Sequence, residues 1–251
     1  GGASLPLMTP FFETEGERAS LQSLTWGRKS DWIPTFCGTA GSLAVEGMLL
    51  APVGERGFLY QLTVRSTSDK PLSSTFGLEG CWASAWHCVN EDKEIDGARR
   101  CYTSLWNDSL IFDMRCGLPL FAFAPMMDQP CSSTFQETDA GIVYRLAHAC
   151  TLEPGEAVTV TFYWGVGFEE VAAATSAKEM LRQGWQHELQ VTTDWLDARR
   201  WPIPDAQLER LYNTNLFFCL FYSAGITLDT EELVLVTSRS PRYYVSAAYW
   251  D

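Results

Sequence analysis

Residues 150–185 read CTLEPGEAVTVTFYWGVGFEEVAAATSAKEMLRQGW, and the hydrophobic period changes inside this stretch. Glu153, Pro154, Gly155 and Glu156 form a turn signal. After it, Val158, Val160, Phe162, Trp164 and Val166 alternate with Thr159, Thr161 and Tyr163, the pattern of a well-buried strand. From Glu169 to Arg200 there is no proline, a single glycine at 184, and apolar residues at helical spacing: Met180, Leu181, Trp185, Leu189 and Leu196. Sheet gives way to helix here, and the glycine predicts a break between two helices.

Upstream of the switch, period two extends back to about residue 40. In GFLYQLTVRS, Phe58, Tyr60, Leu62 and Val64 share one face while Leu59, Gln61, Thr63 and Arg65 share the other. SLAVEGMLLAP alternates Leu43, Val45 and Leu49 around a glycine. Further strands read at STFGLEG, CWASAWHCV, RRCYTSLW, SLIFDMRC, LPLFAFA and GIVYRLAHAC, with NEDKEIDG between them as a charged turn. Many strands with short polar turns and no intervening helical pattern predict an antiparallel sandwich.

Downstream, Trp201, Pro202, Ile203 and Pro204 end the helical pattern and Asp205 offers an N-cap. A third helix follows through Leu208, Leu211, Tyr212, Leu216, Phe218, Cys219 and Tyr222 to Gly225. It is apolar nearly all round, so most of its sides require cover. The expected fold class is mainly β with a helical C-terminal part: an antiparallel β-sandwich over 1–167, linker helices over 168–204, and the start of a helical domain over 205–251.

The net charge of −13, with the eighteen basic residues scattered, repels phosphate backbones and anionic head groups, which excludes nucleic acid and membrane surfaces as partners. No run of eighteen apolar residues and no signal peptide is visible, so the expected location is cytoplasmic. The eight cysteines form no Cys-x-x-Cys pair and have no histidine at zinc spacing, so no metal is expected and they read as free thiols, most of them buried on strands. His87 and Cys88, adjacent on a strand, point to opposite faces and make no dyad. Ten tryptophans and nine tyrosines suit a neutral ligand whose CH faces stack on rings.

The order of parts, together with SRSPRYYVSAAYWD at 238–251, resembles the N-terminal portion of a six-hairpin glycosidase. That clan includes bacterial glucoamylases, trehalases, debranching-type glucosidases and disaccharide phosphorylases. The resemblance implies a β-supersandwich, two linker helices and the first helix of an (α/α)6 barrel. It covers the whole chain in layout but only 237–251 in motif. It also implies an α-glucoside-type oligosaccharide substrate, no metal or organic cofactor, the remainder of the barrel as a partner, and a chain interrupted inside a larger enzyme.

Within the motif, Trp250 aligns with the aromatic that stacks on the terminal sugar. In the phosphorylase-like pattern Asp251 is the carboxylate that grips its hydroxyls; in the glucoamylase-like pattern, Trp-x-Arg-Asp, that carboxylate falls past residue 251. The resemblance further implies that Arg239 braces the loop and that Tyr243 and Tyr244 line the pocket. Inverting hydrolysis needs two carboxyl groups about 6.5 to 9.5 Å apart. The resemblance puts both beyond Asp251, so no catalytic residue is expected within the chain, and Glu46, Glu79, Asp113 and Glu137 read as solvated strand faces. The rival reading is a carbohydrate-binding or interaction module presenting Trp82, Trp86 or Trp106. Trp82 and Trp86, four apart on one strand, would then share a face.

Overall fold

The computed structural model describes residues 6–82, 86–89, 91–94, 98–105, 109–115, 121–226 and 233–235. The chain opens with β1 (Thr9–Thr14), β2 (Glu17–Ala19), β3 (Leu21–Lys29), β4 (Ile33–Ala40) and β5 (Leu43–Leu50). It continues through β6 (Gly57–Ser66), β7 (Leu72–Trp82), β8 (Trp86–Val89), β9 (Glu91–Glu94) and β10 (Ala98–Thr103). Next come β11 (Leu110–Arg115), β12 (Phe121–Met127), β13 (Ser132–Thr138), β14 (Gly141–Leu152) and β15 (Ala157–Gly167). Three helices follow, α1 (Glu170–Gln183), α2 (Trp185–Asp197) and α3 (Ala206–Ser223), and then the short strands β16 (Ala224–Ile226) and β17 (Leu233–Leu235). The mainly antiparallel β architecture with a helical C-terminal part is the one the periodicity predicts.

Contacts divide the chain into two compact units, one of Gly1–Lys29, Ile33–Ala83 and Asp96–Thr192, the other of Ser30–Trp32, Ser84–Ile95 and Thr193–Asp251. The first unit holds two antiparallel sheets, ordered β13-β14-β7-β1-β2 and β10-β11-β12-β15-β6-β5-β4-β3. Their facing sides share one core. Phe12, Phe76, Leu78, Tyr144 and Leu146 of the smaller sheet meet Tyr60, Leu62, Val160, Phe162 and Trp164 of the larger. Each such side chain, fully buried, stabilises the fold by about 1.5 to 3 kcal/mol. Phe112 joins the layers, its ring centroid 4.9 Å from Tyr144 and 5.8 Å from Trp164.

On the other side of the larger sheet, α1 packs against β15, β12 and β11. Its inward residues, Ala173, Ala174 and Ala177, are small, and β15 answers with Gly165, where an added Cβ would sit 1.9 Å from the Ala173 carbonyl oxygen. Helix and sheet backbones are therefore in direct contact. Gly184 ends α1 at φ +86°, a conformation that costs glycine little, and its N–H donates to the Met180 carbonyl.

In the second unit, Asp205 caps α3 as expected, its Oδ1 accepting the Gln207 and Leu208 N–H groups at 2.9 Å each. The buried Asn213 fastens the preceding segment: its Oδ1 accepts the Trp201 N–H at 2.7 Å and its Nδ2 donates to the Trp201 and Glu209 carbonyls at 2.9 Å. Trp32 stacks on Phe221 at 5.0 Å, and Arg200 pairs with Asp31 at 2.5 Å. Leu208, Leu211 and Leu220 of α3 are exposed. No described helix is long and apolar enough to cross a membrane.

Three local expectations change. The run CWASAWHCV is not one strand: β7 ends at Trp82, and Trp86–Val89 is β8, paired with β9. The charged segment after Asn90 is not only a turn, because Glu91–Glu94 is the second strand of that hairpin. Period two also begins earlier than residue 40, since β1 to β4 precede it.

Candidate functional site

The outer face of the larger sheet carries a polar patch built by strand register. Thr25 pairs with Cys37, Cys37 with Glu46, Glu46 with Thr63, and Thr63 with Thr159. Two residues along each strand, a parallel row runs Gly27, Thr35, Met48, Gln61, Thr161. The intervening row, Phe36, Gly47, Leu62 and Val160, belongs to the opposite side, where Phe36, Leu62 and Val160 enter the core. Hydrogen bonds bind the rows into a floor: Thr63 Oγ1 meets Thr159 Oγ1 at 2.8 Å, and Gln61 Nε2 donates to Thr161 Oγ1 at 3.3 Å.

Helix α2 forms a wall. Tyr163 Oη accepts the Trp185 N–H at 3.1 Å, and Thr192 Oγ1 accepts the Val53 N–H at 3.2 Å, so the helix is tied at both ends of its first two turns. Trp185 and Leu189, one turn apart, face a cleft of about 470 Å³ over the floor. Trp26 of the edge strand borders the cleft, but it pairs with Phe36, so its ring, 59% exposed, lies 5.3 Å from the Phe36 ring on the opposite face of the sheet. That volume lies in the range of small-molecule sites, about 300 to 1,000 Å³. Among the described lining residues, Glu46 is the single carboxylate and Lys29 the single cation. With one carboxylate the cleft has the means to hold a ligand but not the acid–base pair of glycoside hydrolysis.

Arg239, Tyr243, Tyr244, Trp250 and Asp251 lie outside the described residues. Of the internal carboxylates, Glu79 pairs with Arg18, and Asp113, buried, pairs with Arg100 at 2.5 Å, so Asp113 is no solvated strand face. Glu137 is exposed on the edge strand β13. Glu46 is exposed too, yet it lines the cleft, which the reading of an ordinary solvated face did not anticipate.

Trp82 is partly buried and packs against the core, 5.2 Å from Phe123 and 6.4 Å from Phe112, as the burial reading expects, and not as an open glycan platform. The side chains of Trp86 and Trp106 lie outside the described residues. The described cysteines, Cys37, Cys81, Cys101, Cys131, Cys150 and Cys219, are free. Burial pushes the Cys101 and Cys131 thiols up to about 12, with Asp128 adding to the shift of Cys131, whereas Cys37 and Cys219 are exposed. Among the described residues, no three His, Cys, Asp or Glu side chains gather as a metal would require.

No family model matches the chain. A search of curated proteins likewise returns no match. Among solved structures, a bacterial glucoamylase complexed with acarbose is similar over 84% of this chain and 34% of its own, at 8% identity and a TM-score of 0.53. A protein described as a kojibiose phosphorylase from the human microbiome matches over 90% of this chain and 29% of its own, at 12% identity and a TM-score of 0.44. The chain thus spans about a third of the length of the structures it matches. At the level of fold it is like the sandwich portion of glycosidase-like enzymes, as the layout of its sequence implies.

Proposed function

We propose that the chain is the sandwich and linker portion of a carbohydrate-active enzyme that hydrolyses or phosphorolyses glycosidic bonds in an α-glucoside-type oligosaccharide. The observation that carries this reading is the fold shared with the glucoamylase over 84% of the chain. In this reading α3 is the first helix of a helical barrel, whose further helices cover Leu208, Leu211 and Leu220. The boundaries near 167 and 204 separate sandwich, linker and barrel. Trp250 stacks on the terminal sugar, Asp251 accepts its hydroxyls, and Arg239, Tyr243 and Tyr244 support the pocket.

A pyranose offers an apolar CH face to an indole and vicinal hydroxyls to a carboxylate, so a Trp-Asp pair suits one. The general acid and base are supplied from outside this chain. Incubating the full-length protein with maltose and trehalose, with and without inorganic phosphate, tests the reading. Release of glucose or glucose 1-phosphate is expected from the full-length protein and not from residues 1–251 alone. Absence of both products from every α-linked substrate overturns it.

A further inference from the structure

Among the described strands, the two sheets of the sandwich end in four edges, β2, β3, β10 and β13. An open strand edge invites pairing with another chain, and proteins blunt it with short strands, bulges or cationic side chains. Three of the four edges carry such a device. β2 is three residues long, β3 shifts register between Gln22 and Thr25 and holds Arg28 and Lys29, and β10 holds Arg99 and Arg100. β13 carries none. Its sequence, SSTFQET, has no lysine, arginine, proline or glycine, and it pairs with β14 without a register shift from Ser132↔Ala147 to Thr138↔Gly141. All seven residues are exposed, so both faces of the strand stand open as well as its edge.

We propose that β13 pairs antiparallel with the β13 of a second copy of this chain, about a two-fold axis through Phe135. Alternate residues of an antiparallel edge strand point their backbone groups outward. An axis through a residue therefore sets outward groups against outward groups, which an axis between residues does not. An axis through Glu137 would put carboxylate against carboxylate. Through Phe135 it uses the whole strand: Ser132 meets Thr138, Ser133 meets Glu137, and Thr134 meets Gln136 of the other copy. Each carboxylate then faces a serine hydroxyl, and no like charges are opposed.

The aromatic row argues for the same axis. Phe135 pairs with Tyr144, so the two side chains share a face, and Tyr144 in turn lies 4.9 Å from Phe112 in the core. The Phe135 ring is 39% exposed at the end of that row, and its twin across the axis would cover it. The strand is its own complement in length, register and charge, which singles out a second copy as the occupant. This assignment is independent of the substrate reading above.

A pairing of seven residues is a small interface, below the about 1,200 Å² of stable complexes, so a dissociation constant of about 10 to 100 µM is expected. Each copy has a net charge of −13, which opposes association at low salt. Sedimentation velocity of the 251-residue protein from about 2 to about 200 µM in about 0.3 M NaCl, which screens that charge, should show a monomer passing to a dimer.

Two exposed lysine substitutions on the one strand should act in opposite directions. Phe135→Lys sets cation against cation at the axis and should weaken the dimer more than about tenfold. Ser133→Lys creates two cross-strand pairs with Glu137 and should tighten it about threefold. The second variant guards against a folding defect in the first, since only this register makes a lysine favourable at 133. A protein that stays monomeric throughout overturns the proposal. So does a dimer indifferent to Phe135→Lys, or one that Ser133→Lys weakens. A dimer lost on Leu211→Lys and kept on Phe135→Lys overturns it too, because it would assign association to the exposed face of α3.

Discussion

The Tyr163 hydroxyl accepts the backbone N–H of Trp185 at 3.1 Å, joining the last strand of the sandwich to the first residue of α2. Tyr163 is buried, and burial, reinforced by Asp128, pushes its phenol up to about 12. Tyr163→Phe removes the acceptor from a helix N-terminal donor and should lower stability by about 1 kcal/mol in urea unfolding. A folded-state pKa above the unfolded value of about 10 means the phenol's contribution is complete below pH 10 and is lost only as the pH rises through the folded value. The cost should therefore be the same at pH 6 and pH 9. A variant as stable as the parent protein would show that the joint contributes nothing.

Gly165 tests the contact between α1 and the sheet. A methyl group there would sit 1.9 Å from the Ala173 carbonyl oxygen and 2.6 Å from the Ala177 nitrogen, and helix backbone has no rotamer with which to yield. Gly165→Ala should cost more than about 3 kcal/mol or prevent folding. Gly155→Ala is the control: its φ is +77° but no atom of the described residues lies within 4 Å of the added methyl, so backbone strain of about 1 kcal/mol is all it should show. Equal thermal shifts at the two positions would contradict the close approach.

The sandwich and its helices were legible because their signals are local. Val158, Val160, Phe162 and Trp164 alternate in the sequence and line one core face, and the single glycine between two helical runs is the helix break. The hairpin β8 and β9 was not legible, because Glu91–Glu94 is charged throughout and its strand character comes from pairing with Trp86–Val89, not from propensity. The cleft was hidden for a related reason. Gln61 and Thr63 were readable as an outward face, but their alignment with Glu46, Cys37 and Thr25 is a matter of register across four strands, and register depends on the partners.

Glu188 should make the docking of α2 sensitive to pH. It is 3% exposed, and its Oε1 has no hydrogen-bond partner among the described residues. Burial, then the nearby Glu55, raises its pKa, with His187 opposing. The native state holds this proton more tightly than the unfolded chain, whose glutamates titrate near 4.3. Stability from the site is thus complete below that pH and declines as the pH rises through the folded value. Glu188→Gln should be near neutral at pH 4 and about 1 kcal/mol more stable than the parent at pH 7. Urea midpoints at the two pH values measure the difference, and a pH-independent effect would refute the assignment.

Asp251 tests the proposed sugar pocket itself. If Trp250 stacks on the terminal pyranose and Asp251 accepts two of its hydroxyls, Asp251→Asn in the full-length enzyme keeps the shape and removes the charge. Loss of a charge-assisted hydrogen bond should then cost about 1.5 to 3 kcal/mol, roughly 10- to 150-fold in kcat/KM. A substrate lacking one of those hydroxyls should feel the substitution less, since the bond is already gone. Replacing the general acid, which acts on the bond being broken, should cost far more. If Asp251→Asn leaves kcat/KM unchanged on every accepted substrate, the carboxylate that grips the sugar is a different one, and the glucoamylase-like pattern, with Trp250 alone stacking, describes the pocket instead.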